Sequence, residues 1–354
     1  MSKRDETIDR LRGFAMFWVI VVHVLYWGNF FDNECINLLK SFFLFEMPLF
    51  FFITGASNSF TKVNGYFYFV YRRYKRVLIP YWVFAIICAG LSIAKYSILG
   101  GKGIFTGVKI LLSWLIPVNR QITSVSYLTW ALWFIPVYLC VILIIPLLKQ
   151  MKQSKNCVEF VFLLLAVFIG TCVLKMGWAQ NVAFYSLWTY IGLFYSDIMI
   201  ASKQNRFRKG FVLIASIGAV MIIALHFIGQ SIDMQHNKFP PNITFLVFSI
   251  VMMTMIVLMI PCFNRVFEHL EKYRMAKIIV DLFSTRSMTI FLYEVFAFNL
   301  TIRFANTIIS GNSIIASIVK SMICLITTIP ICTVLAIVFG NIEKIGSKAH
   351  RRER

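Results

Sequence analysis

Long apolar runs constrain this chain more than any other feature it has. Ten stretches of roughly 17 to 25 residues, each nearly free of charge, lie near 13–31, 39–60, 77–98, 130–148, 158–174, 181–200, 210–229, 242–262, 287–308 and 314–340. Backbone in hydrocarbon finds no water to bond, so each run must satisfy its own amides and carbonyls, and the helix is the local solution. The reading is an all-α, polytopic membrane protein with about ten transmembrane helices. A shorter run at 104–117 follows the glycine-rich GGKG of 100–103 and reads as a re-entrant or interfacial helix. No connection exceeds about 30 residues, less than a domain usually needs. The expectation is therefore one transmembrane domain over 1–354, with short tails and no separate soluble domain.

A formal charge of +20 raises the question of a nucleic-acid partner, and its distribution answers it. With the N-terminus in the cytoplasm, 26 of the 35 Lys and Arg fall on cytoplasmic segments. That asymmetry is the positive-inside rule, so the basic balance reports topology and contact with anionic lipid. The expected location is the inner, or plasma, membrane, with both termini cytoplasmic and no nucleic acid as partner. The first run is too long and too aromatic for a signal peptide, and no small-residue cleavage site follows it. Eight cysteines are scattered singly, without zinc spacing, and are expected as small core hydrophobes with no metal site. The stretches GGKG and SGNS fit neither a P-loop nor a dinucleotide fingerprint.

Arg12 and His23 stand at the entry to and inside the first run. Eleven helical steps return the chain to within about 20° of the same face, about 16 Å along the axis, so the two share one stripe. Asp9 lies three residues before Arg12, within reach of its guanidinium. An ionisable residue inside a membrane is by default a functional-site hypothesis. Neutral imidazole can take a proton from an alcohol near neutral pH without a large pKa adjustment. Glu46 enters the second run from the side towards which His23 lies and needs a partner. His23 is the nearest candidate, and a water-filled vestibule is the alternative. Arg72, Arg73, Lys75 and Arg76 form a basic cluster before the third run, of a kind that topology alone also produces.

RDETIDRLRGFAMFWVIVVH resembles the opening motif of the acyltransferase-3 family, polytopic enzymes that move acyl groups onto sugars and other envelope acceptors. Three further blocks appear in the family's order: MPLFFFITG (47–55), with Thr54 where the family has serine; YRRYKRVLIPYW (71–82); and LWFIPVYL (132–139). The resemblance implies an O-acyltransferase using cytosolic acyl-CoA, foremost acetyl-CoA, as donor and a hydroxyl of a carbohydrate or other envelope component as acceptor. It makes His23 either the general base or the transient acyl carrier; if Glu46 is its partner, a carboxylate on the far ring nitrogen fixes the tautomer and stabilises imidazolium. It gives the donor's phosphates to Arg73 and Arg76, both on one face if the third helix begins early, with Arg12 helping or ordering the entrance with Asp9.

On the acceptor side stand Trp133, an interfacial anchor or a sugar-stacking ring, and Lys238, which opens a Lys-Phe-Pro-Pro element like one in some family members. Proline in a first helical turn is ordinary as well. Glu294 is a departure: Phe291-Leu292-Tyr293-Glu294 stands where many members end a Tyr-Leu-x-His element. Loop 119–129 is rich in hydroxyls and amides, and His226 and His236 read as solvated near the outer surface. The rival from another class is a secondary transporter or polysaccharide exporter, whose expected internal repeat is not evident. An acyl-donor sensor without turnover is a third reading, left open by the missing late histidine.

Overall fold

The computed structural model describes residues 5–28, 34–63, 65–99, 104–117, 128–154, 156–311 and 313–345. It is 85% helical, with no strand among the described residues. In chain order the helices are α1 (Glu6–Trp27), α2 (Glu34–Ser41), α3 (Glu46–Ser59), α4 (Tyr66–Ile98), α5 (Ile104–Leu115), α6 (Phe134–Gln153), α7 (Cys157–Val173) and α8 (Gly177–Leu193). They continue with α9 (Tyr195–Ser202), α10 (Asn205–Phe227), α11 (Met234–Lys238), α12 (Ile243–Leu270), α13 (Arg274–Thr285), α14 (Ser287–Ile308), α15 (Ile314–Phe339) and α16 (Asn341–Ile345).

Among the described residues, seven helical segments are long and apolar enough to cross a membrane. The other three of the ten expected runs are helical but fall short. α1 begins with a charged turn, α7 has only 17 residues, and the run at 181–200 is broken at Phe194 between α8 and α9. The short run at 104–117 forms α5, of 12 residues. Prolines 80, 146, 261 and 330 lie within helices, a placement apolar surroundings tolerate when neighbouring groups take up the freed carbonyls.

Three boundaries differ from the sequence expectation in ways that matter for the site. α1 ends at Trp27 and not near position 31, so His23 lies one turn, about 6 Å, from the helix end. Residues 29–31 of the expected run lie outside the described residues, as do GGKG and all of loop 119–129 before Leu128. The second run is interrupted after α2 by a tight turn over 42–45, held by bonds such as Phe43 N to Lys40 O (2.9 Å). Glu46 is thereby the first residue of α3. α4 starts at Tyr66, well before position 77, which brings the whole basic cluster into the helix.

The chain divides into two compact units, residues 1–63 with 143–285 and residues 64–142 with 286–354. The first holds α1–α3, the last part of α6 and α7–α13. Its tightest crossing joins α3 to α8, where a side chain at Gly55 would strike the Thr189 carbonyl and one at Gly192 the Phe52 carbonyl. Small residues let the two backbones meet, the usual means of association where lipid supplies no hydrophobic drive. The second unit holds α4, α5, the first part of α6 and α14–α16. Tyr81 Oη donates to Trp114 O (2.6 Å) and Trp114 Nε1 to Ser92 Oγ (2.9 Å), tying α5 to α4.

Candidate functional site

α1 organises the first unit's polar groups at both of its ends. Asp5 caps its start, accepting from Thr7 N (2.9 Å) and Ile8 N (3.3 Å). Arg12 pairs with Asp9 at 3.1 Å, as the spacing predicts, and also donates to Ser57 Oγ of α3 at 2.6 Å. On nearly the opposite side of the helix, Arg10, which the sequence reading did not single out, grips Glu271 with a two-toothed fork: Nε to Oε1 at 2.9 Å and Nη2 to Oε2 at 2.7 Å. Glu268 lies 3.5 Å from the same guanidinium. The bond to Arg10 holds the Glu271 carboxyl below its ordinary value, and the same bond raises the Arg10 guanidinium.

The other end of α1 carries His23. Tyr26, three residues on and so on the same face, lies close to Ser41 and within electrostatic reach of Asp233 and Glu46. Lys40 Nζ sits 5.2 Å from the Tyr26 ring centroid. Glu46, 1% exposed, forms an ion pair with Lys238, 4% exposed, through Oε1. The carboxylate occupies the first turn of α3 and the ammonium the last residue of α11, so each charge complements the helix end that bears it. Glu46 Oε2 has no hydrogen-bond partner among the described residues. His23 itself is half-buried. Two cations, Lys40 and Lys238, and two acids, Glu46 and Asp233, therefore gather near Tyr26, at the helix end that also bears His23.

Lys238 is held in place by the segment before α12. Asp233 caps α11 through Gln235 N (2.9 Å) and receives Ser41 Oγ at 3.4 Å, while Met234 N donates to Ser41 Oγ at 3.0 Å. Asn237 Nδ2 donates to Ser231 O (2.6 Å), and Asn242 Nδ2 to Asn237 Oδ1 (2.6 Å). Asn242 then caps α12 through Phe245 N (3.0 Å), and Gln180 Nε2 of α8 donates to Pro241 O (2.6 Å). The Lys-Phe-Pro-Pro element, read both as a family-like element and as an ordinary helix start, is thus anchored on both sides of its prolines.

The second unit contains the remaining sequence candidates. Arg73 and Arg76 lie three residues apart within α4 and so share a face, the condition the sequence left open. Arg73 stacks over the Phe69 ring at 5.5 Å. Arg76 is exposed, and its charge acts on Glu343. Glu343 of α16 is buried and accepts from both Thr289 N and Thr289 Oγ1 at 2.6 Å, an acid closing the first turn of α14 from another helix. Trp133 is half-buried beside Phe134, with ring centroids 6.5 Å apart. Glu294 is buried within α14 and acts electrostatically on Cys332 of α15.

The structure thus brings together Glu46 and Lys238, placed on different sides of the expected chemistry, and adds Tyr26, Ser41 and Asp233. Tyr26 was accessible to the helical spacing that joined Arg12 to His23. Ser41 and Asp233 had no signal beyond their suitability as caps.

A family model described as an acyltransferase domain matches residues 5–337, nearly the whole chain. No curated protein and no solved structure matches the chain.

Proposed function

The chain belongs to this acyltransferase family and is a multi-pass membrane acyltransferase, and from that premise we propose that it is an O-acyltransferase of the inner membrane. The donor is acyl-CoA, foremost acetyl-CoA, drawn from the cytoplasm, where both chain termini lie. The acceptor is a hydroxyl of a carbohydrate or other envelope component. The observation that carries the reading is the shared α1 face of Arg12 and His23, with charged and hydroxylated groups gathered around the His23 end.

In the direct route, His23 accepts the acceptor hydroxyl proton as its oxygen attacks the thioester carbonyl. A C–O bond forms, the C–S bond breaks, and the thiolate leaves and recovers the proton from imidazolium. In the covalent route the imidazole nitrogen attacks first, the C–S bond breaks and the thiolate leaves with the ring's N–H proton; the acyl-imidazole then passes its acyl group to the hydroxyl, whose proton returns to the ring. Glu46 and Lys238 serve as a fixed pair beside the reacting face. About 16 Å of helix separates Arg12 from His23, a distance suited to a long, flexible donor arm. Arg73 and Arg76 take the donor's phosphates, for which planar guanidinium forks are well shaped. Trp133 and Glu294 are proposed to contact the acceptor.

Purified protein in liposomes, supplied with labelled acetyl-CoA, should transfer or hydrolyse the label, and His23→Ala should abolish this at unchanged expression. Equal activity in the two proteins would remove His23 from the chemistry. Label retained on the protein after rapid quenching supports the covalent route, and its absence during turnover the direct one. Arg73→Ala and Arg76→Ala should weaken donor binding in a salt-sensitive way. Unchanged affinity would leave them as topology signals.

A further inference from the structure

Two adjoining cavities in the first unit lie beside the Asp233 end of the network. One, of about 570 Å³, is open and about half polar, its polar side formed by His226, Gln230, Ser231 and Asp233. The other, of about 280 Å³, is lined almost wholly by hydrocarbon, including Phe42, Ile222, Ile223, Phe227 and Phe248. Leu38, His226 and Ile232 line both. A greasy slot and a polar bowl sharing a wall describe a ligand that is itself divided.

The wider cavity offers an imidazole, an amide, a hydroxyl and one carboxylate, with neither Lys nor Arg among the described residues of its lining. A phosphate head would meet the Asp233 carboxylate as a like charge within the cavity lining. A sugar-like head suits these groups: a carboxylate accepts from hydroxyls in charge-assisted bonds, and an amide both gives and takes. Asp233 Oδ1 is engaged by Gln235 N and Ser41 Oγ, which leaves Oδ2 for such a hydroxyl. The five-residue α11 then runs from the Asp233 cap to Lys238, the partner of Glu46.

We propose that these cavities seat a sugar-headed lipid, its chain in the slot lined by Ile222, Ile223 and Phe248 and its neutral, hydroxylated head against Gln230, Ser231 and Asp233. This rests on the acyltransferase reading in one respect: the seated lipid is the acceptor, held next to the cluster around His23. His226 is then a wall of the seat and not simply a solvated side chain.

The test uses the full chain in phospholipid nanodiscs and an alkyl glucoside carrying a diazirine in its chain, with labelled peptides located by mass spectrometry. Label should concentrate on residues 222–234 and 38–42, and excess unlabelled alkyl glucoside should remove it while free glucose does not. The same chain with a phosphate head should label weakly. Ile223→Trp, filling the slot from an exposed position, should reduce labelling about tenfold. Met221→Trp, exposed on α10 outside both cavities, should not. Asp233→Asn should favour the phosphate-headed probe relative to wild type.

Label spread evenly over the lipid-facing helices, equal labelling by the phosphate-headed probe, effective competition by free glucose, or indifference to Ile223→Trp would each overturn the proposal. Labelling is read without donor and again in His23→Ala. A labelled but inactive wild type would sink the catalytic reading alone. Acyl transfer to a soluble sugar by a protein that takes no label would sink the lipid seat alone.

Discussion

The two units of the chain handle charge differently. In the first, the ionised groups that flank α1 and α3 are matched to one another: Glu46 with Lys238, Arg10 with Glu271, Arg12 with Asp9. Lys149 donates to the Asn58 and Thr61 carbonyls at the end of α3, and Lys152 lies 3.6 Å from Asp197. In the second, four cations, Arg72, Arg73, Lys75 and Arg76, follow one another along α4, and the acid within their reach, Glu343, is already engaged by Thr289. A matched set fixes geometry and carries little net field. A one-sided set leaves positive potential for an anion. The contrast parallels the division proposed above, with the base in the first unit and the donor's phosphates on the second.

The comparison breaks most readily at the buried pair. Lys238→Met leaves Glu46 buried opposite hydrocarbon, and thermal or denaturant unfolding in detergent should show a loss of about 3 to 5 kcal/mol. Replacing both partners, Glu46→Leu with Lys238→Met, should recover most of it. If the double variant is no better than the single, the pair is not the coupled unit described here.

Next in size is the backbone crossing. Gly55→Ala places a methyl against the Thr189 carbonyl and should cost about 3 kcal/mol. Gly90→Ala in α4, where an added carbon meets open space, should be neutral or stabilising by up to about 1 kcal/mol. Equal melting shifts for the two would refute the close approach of α3 and α8.

Glu343→Ala tests the second unit's own buried acid. It removes the acceptor for Thr289 N and Oγ1 and should cost about 1 to 3 kcal/mol, with faster amide exchange confined to the start of α14. Unaltered exchange there would mean that α14 needs no cap from α16.

The smallest effect concerns pH. Glu271 is held below its ordinary value of 4.5 by the bond to Arg10, so the stabilisation is complete above that value and is lost as pH falls through the lower, folded-state one. Glu271→Gln should flatten the acid limb of a stability profile. Because Glu271 is partly exposed, the change is about 1 kcal/mol or less. An acid limb of undiminished slope in Glu271→Gln would assign it to other carboxylates.

How far these features were legible depended on their range. The Asp9–Arg12 pair and the common face of Arg73 and Arg76 follow from helical spacing once a helix is granted. Glu46 was recognised as an acid needing a partner, but Lys238 stands 192 positions away, and no periodicity links the two. Arg10 looked like one more positive-inside charge until Glu271, 261 positions on, proved to bind it. Local breaks escaped a reading by composition: the turn before Glu46 and the interruption at Phe194 lie inside runs that remain apolar throughout.

The amino-acid sequence by itself determined that the protein is helical and membrane-bound, because apolar stretches of this length can satisfy their backbones in no other local way. It also placed the chain in its family, through short motifs read in order. Only the tertiary structure decided which buried acid meets which base and where Lys238 delivers its charge. Those pairings depend on how each helix is rotated and packed against its neighbours, and a buried ion is stable only where that packing puts its counter-ion within reach.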